Sequence, residues 1–487
     1  MRIERAAGGA AGRSLAAAGG GREERAMRFR VLACDYDGTI ATHGQVDAVT
    51  LAALERLRAS GRQLVLVTGR ELDDLERVFA HLPLFERVVA ENGALLYCPA
   101  TRAEQRLGDP PPPAFVAALR ARGVAPLSVG RVIVATREPH ETAVLEAIRD
   151  LGLELQIIFN KGAVMVLPAG VDKGTGLQAA LDDLGLSPHN AVGVGDAEND
   201  HAFLSRCECA VAVANALPVL KEAADLVTRG DHGAGVVELI ERLIAGDLAE
   251  LAPRLARHGI LLGTRDAGAE VRLAPTGGGI LIAGPPGSGK STVTAVLLER
   301  LIQRAYQVCL VDPEGDFEGL AGAITLGAAQ RAPAIEAIMQ VLAKPAEHAV
   351  VNLRGVPLAD RPAFFAGLLP RLQALRTQTG RPHWLVVDEA QHLLPASWEQ
   401  APLALPQASE RLLLVTAHPE RVAPAALAAV DTVIATGAAP QQTISAFCRA
   451  TGVRAPSVAP GEPAPGEVVV WERHAEAPPV RVRVTPA

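Results

Sequence analysis

From residue 27 onward the apolar positions follow two alternating rhythms. Short β-branched runs end in small or acidic residues, and each leads into a stretch with apolar positions three and four apart. RVLACDYDG predicts a strand entering a loop, and LAALERLRASG predicts a helix with a glycine stop. QLVLVTG and ELDDLERVFAHL repeat the pair. This alternation predicts a parallel sheet covered by helices on both faces. Around Tyr97–Pro113 the rhythm breaks into a proline-rich loop, DPPPP. FVAALRARG, RVIVATRE, ETAVLEAIRDLG, LELQIIF and AVMVLP then predict a compact α+β insertion over roughly residues 98–170. The α/β rhythm resumes with KGTGLQAALDDLG and NAVGVGD and closes near GVVELIERLIAG.

Residues 247–278 carry no long helical pattern, and ILLGTRDAGAEVRLAP predicts a small β-hairpin. A second α/β unit begins at GILIAGPPGSGK and runs to about Thr436. Beyond it, a Pro- and Gly-rich stretch ends in two β-like runs, EVVVWER and VRVRV. No internal repeat recurs at a fixed period.

Composition refines this picture in several ways. Residues of the hydrophobic class make up 49% of the 487 positions but aromatics only 3%, so the cores must be packed with Val, Leu, Ile and Ala. No apolar run approaches the ~20 residues needed to span a bilayer, so no membrane partner is expected. Residues 1–26 lack the apolar stretch of a secretory signal and are expected to be a disordered tail, or sequence upstream of a start at Met27. Six cysteines in so long a chain suggest no disulfide framework. Cys207 and Cys209 lack a second ligand pair at zinc spacing and read as small buried hydrophobes, which fits a cytoplasmic protein. The formal charge is −7, and from Ile260 onward 19 Lys and Arg face 20 Asp and Glu. That balance does not favour a nucleic-acid partner.

Four separated segments point to one reaction. Cys34-Asp35-Tyr36-Asp37-Gly38-Thr39 lies at the C-terminal end of an expected strand, the edge where parallel sheets bind ligands. Two carboxylates one residue apart in a turn are costly to hold without a cation, and Mg2+ with oxygen ligands removes that cost. Val67-Thr68-Gly69-Arg70 offers a hydroxyl and backbone N–H groups to phosphoryl oxygens. Lys173, just before a helix, can bring charge to the same oxygens. Gly195-Asp196-Ala197-Glu198-Asn199-Asp200 supplies further metal carboxylates. In this chemistry Asp35 attacks phosphorus to form an aspartyl-phosphate. Asp37 protonates the leaving oxygen and then deprotonates the hydrolytic water.

DxDGT, then TGR, then Lys, then GDxxND resembles the haloacid-dehalogenase superfamily over roughly residues 28–245. The insertion between the second and third motifs is similar to the class IIB (Cof-type) cap. VAENGALLY and AVAVANALPVLKEAAD also look like stretches of that class. The resemblance implies a Mg2+-dependent phosphatase with a Rossmann-like core. It assigns the metal to the carboxylates of Asp35 and Asp196 and the backbone carbonyl of Asp37, with Asp200 as the second acidic position. Thr68 and Lys173 are implied as phosphate binders, and a small phosphorylated metabolite, such as a sugar phosphate, as substrate. Asn160 and Lys161, in the cap, could face the substrate, but read more readily as a solvated turn.

The second constellation is Gly284-Pro285-Pro286-Gly287-Ser288-Gly289-Lys290-Ser291, between the strand GILIA and the helix TVTAVLLERLI. This is the setting of an ATP-binding P-loop. Backbone N–H groups around Gly284, Gly287, Ser288, Gly289 and Thr292 can wrap the phosphates. Lys290 reaches the β and γ oxygens, and Ser291 can hold Mg2+. HWLVVDEAQ ends a strand in Asp388, which fits the magnesium partner, and Glu389, which fits the base that polarises attacking water. With VCLVDPEGDFEG, LLLVTAHPERV and ILLGTRDAG, these features resemble FtsK/HerA-type translocase ATPases over roughly residues 258–440. The resemblance implies a homo-oligomer assembled through the ATPase half and a trans-acting arginine. Arg354, Arg421 and Arg449 are the candidates, each also readable as a surface charge.

The expected organisation is therefore a tail (1–26), a phosphatase core (27–97 and 171–246), a cap (98–170), a linker with a hairpin (247–278), a P-loop ATPase (279–440) and a C-terminal extension (441–487). Two rival readings use the same residues. One is a nucleic-acid processing ATPase with an end-trimming phosphatase. The other is a nucleotide-switched signalling or scaffold oligomer with a sensory front half.

Overall fold

A computed structural model describes residues 27–252, 255, 258–266, 268–397 and 411–486; the expected tail lies outside them. Among these residues no helix is long and apolar enough to cross a membrane.

The first sheet has eight strands. Six are parallel, in the spatial order Leu226–Val227, Cys209–Ala212, Ala191–Gly195, Val31–Cys34, Gln63–Val67 and Arg87–Ala90. All four residues of Val31–Cys34 are buried, as a strand covered on both faces requires. Leu95–Cys98 and Ala103–Arg106 then extend the same sheet as an antiparallel hairpin. The cap therefore starts after Arg106 rather than at residue 98. A β-hairpin needs only an edge to pair with, and the sequence pattern does not say which edge.

The cap is a four-stranded antiparallel sheet, ordered Ser128–Val129, Val134–Arg137, Ala163–Pro168, Leu155–Asn160. Helices Pro113–Ala121 and Glu141–Asp150 pack Phe115, Leu119, Val144 and Ala147 onto it. The buried carboxylate of Glu91, in the core, accepts the backbone N–H groups of Arg131, Val132 and Ile133 at 2.7, 2.7 and 2.9 Å. It fixes the point where the cap sheet meets the core.

The second sheet has eleven strands. Its parallel part runs Val430–Thr436, Gly279–Ala283, Arg411–Thr416, Trp384–Val387, Val308–Asp312, His348–Asn352, Ala323–Leu326. The expected linker hairpin, Ile260–Thr264 with Glu270–Leu273, and the expected C-terminal extension are not outside this unit. Glu467–Glu472 pairs with Val430–Thr436, Val480–Val484 pairs with it in turn, and the hairpin closes the row. Pairing buries Val468, Val470 and Val482 against Ile260 and Leu262, which alone would leave an apolar face exposed.

A polar joint connects the two halves. Glu208 is 1% exposed. It accepts hydrogen bonds from Arg28, from His189 (2.7 Å) and from Tyr306 of the ATPase half (3.2 Å). His189 stacks on Tyr306 with ring centroids 3.6 Å apart, and its Nε2 lies 2.7 Å from the carbonyl of Arg304. Arg381 reaches back to the carbonyl of Gly185 at 2.5 Å. Donor atoms of His189, Glu208 and His258 lie within 4.8 Å of one another, and the Arg28 guanidinium supplies positive charge at that carboxylate. Cys207 and Cys209, flanking Glu208, are fully buried among apolar side chains.

Burial alone would raise the Glu208 pKa. The His189 hydrogen bond, then the charges of Arg28, His189 and His258, more than reverse this and bring it down to about 2. A carboxylate with a depressed folded pKa stabilises above its unfolded value and loses that contribution as pH falls through the folded one. Wild type is therefore expected to exceed Glu208→Gln in denaturant stability by on the order of 3 kcal/mol at neutral pH. The gap should close between about pH 4.5 and 2. A gap independent of pH would contradict this account of the joint.

Candidate active sites

Three adjacent strands deliver the first site. Val31–Cys34 ends at Asp35, Gln63–Val67 at Thr68, and Ala191–Gly195 at Asp196. Lys173 opens the helix Lys173–Leu184. Its N-cap Asp172 accepts the Thr175 N–H at 2.8 Å, and the Thr175 hydroxyl accepts the Asp172 N–H at 2.9 Å. This capping box orients the first turn and turns Lys173 inward, where it is 1% exposed. Its ammonium lies 2.5 Å from Asp35 Oδ1 and 2.6 Å from Asp200 Oδ1. The other oxygen of Asp200 accepts the N–H groups of Asp196 and Ala197 at 2.8 and 2.9 Å, fixing the loop that carries Asp196. Gly38 has φ +91°, and a Cβ there would collide with Asp196 Oδ2, so only glycine lets the two loops approach.

Carboxylate oxygens of Asp35, Asp196 and Asp200 lie within 4.8 Å of one another, and all three residues are buried. Burial, then the charge of Asp200, pushes Asp35 up to about 7 against the opposing pull of Lys173. Burial also raises Asp196, against Lys161. Lys173 is raised too, the charges of Asp200 and Asp35 overcoming its own burial, so it stays an ammonium at neutral pH. Buried anions this short of compensating charge, all with oxygen donors, suit a hard divalent cation.

Asp37 does not point into this cluster. Its side chain is 43% exposed, and Arg70 holds it in a bidentate ion pair at 2.6 and 2.7 Å while also binding Asp74 at 2.6 Å. Thr68 is buried, and its hydroxyl accepts the Arg70 N–H at 3.1 Å. The sequence shows Arg70 within TGR but gives it no role. It leaves Lys161 either facing the substrate or, more readily, in a solvated turn, and the side chain is 48% exposed yet reaches the core. Lys161 (φ +48°) and Gly162 (φ +80°) form a two-residue hairpin turn. The turn overhangs the core, with Lys161 Nζ 2.7 Å from Asp196 Oδ2 and 3.3 Å from the Asp37 carbonyl.

Residues 32–107 and 127–240 match the family model of haloacid dehalogenase-like hydrolases. The phosphoglycolate phosphatase of Methanothermobacter thermautotrophicus is 33% identical over 227 residues, 44% of this chain and 99% of that protein. The chain belongs to the haloacid dehalogenase-like hydrolases. The phosphoglycolate phosphatase of Pyrobaculum aerophilum is 31% identical over 241 residues, 45% of this chain and 98% of its own. A haloacid dehalogenase-like hydrolase structure from Bacteroides thetaiotaomicron aligns with TM-score 0.40 and 18% identity, covering 44% of this chain and all of its own.

Residues 269–415 match the model of an AAA ATPase domain, so the hydrolase is fused to a P-loop ATPase. Its P-loop strand Gly279–Ala283 is separated from Trp384–Val387, which precedes Asp388, by the single strand Arg411–Thr416. Gly287 and Gly289 adopt φ of +74° and +93°. Ser288 Oγ lies 2.6 Å from Thr436 Oγ1, anchoring the loop to the neighbouring strand end. A cavity of about 830 Å³ is lined by Gly287, Lys290, Ser291, Asp316, Glu389 and Arg421 among others. Gly284 sits at the strand end behind this loop, and Thr292 comes after Ser291 in the first turn of the helix. Asp388 is 2% exposed, and burial, then Glu389, pushes it up to about 7. Of the three candidate arginines, Arg421 lines the cavity, Arg354 faces Glu318 at 4.0 Å, and Arg449 lies in the last turn of Pro440–Thr451.

Proposed function

We propose that the hydrolase half is a cytoplasmic, Mg2+-dependent phosphomonoesterase that acts on a small phosphorylated metabolite through an aspartyl-phosphate on Asp35. The observation that carries this reading is the Asp35–Lys173–Asp200–Asp196 cluster at neighbouring strand ends. Asp35 is the nucleophile, fixed by Lys173. Thr68 and Lys173 bind phosphoryl oxygens, the ammonium stabilising charge that builds up in the transition state. Asp37 gives a proton to the leaving oxygen and later takes one from water, with Arg70 setting its orientation. Asp35, Asp196 and the Asp37 carbonyl would hold the metal, with Asp200 behind them. When bound, Mg2+ neutralises the approach of one anion to another. The names of the archaeal relatives favour phosphoglycolate over the sugar phosphate expected from the cap class.

In the ATPase half, Lys290 and the backbone of Gly284–Thr292 would hold ATP. Asp388 and Ser291 would hold its Mg2+, and Glu389 would polarise the attacking water. The narrower FtsK/HerA likeness and a homo-oligomer through this half belong to the same proposal.

The test is phosphate release by the full chain with Mg2+ and no ATP. The panel would hold 2-phosphoglycolate, sugar phosphates and 5′-phosphorylated oligonucleotides, with Asp35→Asn as control. Hydrolysis of a small metabolite is expected, falling at least about a thousandfold in the variant. Turnover confined to oligonucleotide ends would favour a nucleic-acid role. Silence on every substrate, with ATP hydrolysis intact, would reject the phosphatase.

A further inference from the structure

The cap places one cation in the hydrolase site, and the position of that cation is informative. Lys161 Nζ touches Asp196 and the Asp37 carbonyl, two of the three groups assigned above to the metal. Without a metal, three buried carboxylates face two ammonium groups, leaving one net negative charge. A divalent ion in place of Lys161 would bring that balance to zero. The metal and the Lys161 ammonium thus compete for the same oxygens.

A lysine displaced from those oxygens cannot go far, because its backbone is held in a two-residue turn between paired strands. The cap face beside it is apolar: Val132, Ile133, Met165 and Leu167 cluster with Ala94 and Val171. The cap's Arg131 is already committed to Asp73 and Glu104. Lys161 is therefore a half-exposed cation that reaches the site from a turn adjoining this apolar cluster through Ala163.

We infer that Lys161 is a specificity-determining residue: when metal holds Asp196, its ammonium binds a second anionic group on the substrate, close to the phosphoryl group being transferred. The preferred substrate class is then a short phosphate ester bearing a carboxylate or a second phosphate, not a neutral polyol. This rests on the phosphatase reading above and names the part of the substrate that the cap reads.

The experiment uses binding, so that it does not depend on turnover. Calorimetry on the full chain with Mg2+ would compare 3-phosphonopropionate, which carries a carboxylate, with propylphosphonate, which does not. Wild type should prefer the first by about 10–100-fold, the worth of one charge-assisted contact, and in Lys161→Met the ratio should fall towards one. Lys161→Arg should restore most of it. Mg2+ titrated alone should bind Lys161→Met more tightly than wild type, because its competitor is gone. Kinetically, the KM for a carboxylate-bearing ester should rise by a similar factor, with a much smaller fall in kcat.

A ratio unchanged in Lys161→Met, or weaker Mg2+ binding there, would overturn the proposal and make Lys161 part of the scaffold. Absence of phosphate release from any ester, with the phosphonate preference and its loss intact, would overturn the phosphatase reading while leaving the anion receptor standing.

Discussion

Lys173→Met is expected to lower phosphate release by about a thousandfold or more while leaving ATP hydrolysis in place. Among the described residues its ammonium is the one cation that touches both Asp35 and Asp200, at 2.5 and 2.6 Å, and all three side chains are almost fully buried. Removing it affects both rate and stability. Asp35, the proposed nucleophile, loses the group that holds it ionised, since burial and Asp200 already push its pKa up to about 7 with Lys173 present. In the proposed mechanism the phosphoryl oxygens also lose the ammonium that binds them. Stability should fall as well, because breaking a buried ion pair by removing one partner costs roughly 3–5 kcal/mol. Lys173→Arg separates the two effects: it keeps the charge but asks a fully packed pocket to hold a larger fork, so it should recover stability better than rate. Phosphate-release kinetics, a thermal melt and ATP turnover on the same preparations would check this. A Lys173→Met variant within about tenfold of wild type would mean that another group activates Asp35.

The candidate site positions of the core were legible because each closes an apolar β run. VLAC, QLVLV and AVGVG can only be buried parallel strands, and Asp35, Thr68 and Asp196 are the residues at their C-terminal ends. Lys173 was legible by its place before a helix. Lys161 was legible only as one of two alternatives, because a two-residue turn looks the same in sequence whether it points into water or over a site; only the docking of the cap decides. The grip of Arg70 on Asp37 is likewise a matter of loop geometry. EVVVWER and VRVRV announced themselves as strands, but period-two alternation does not name a partner, so their place in the ATPase sheet was invisible. The joint between the halves left no trace at all. Arg28, His189, Glu208, His258 and Tyr306 come from separate elements, and a glutamate between two buried cysteines has no pattern of its own.

The second large effect is expected in the ATPase half, where Glu389→Gln should cut ATP turnover by about 10²–10⁴-fold yet leave ATP binding nearly intact. Glu389 comes directly after Asp388 in a left-handed conformation, φ +42°, which turns its carboxylate towards the cavity beside Lys290 and Ser291. One oxygen accepts from Gln391 Nε2 at 2.5 Å, and Gln391 Oε1 accepts from the Thr416 hydroxyl at 2.5 Å. Thr416 ends the strand between the P-loop strand and Trp384–Val387, so this relay ties the carboxylate to the centre of the sheet. Glutamine keeps the shape and the donor from Gln391 but cannot take a proton from water. Lys290→Ala should show the opposite split, losing affinity first, because its charge serves the phosphates in the ground state as well as in the transition state. Thr416→Val should fall between them: the base remains but its orientation loosens, for a loss of about tenfold in kcat with little change in KM. Nucleotide binding by fluorescence and turnover by phosphate release would separate the three variants. Full ATP turnover in Glu389→Gln would move the base elsewhere on the cavity wall, with Asp316 and Glu420 the other carboxylates there among the described residues.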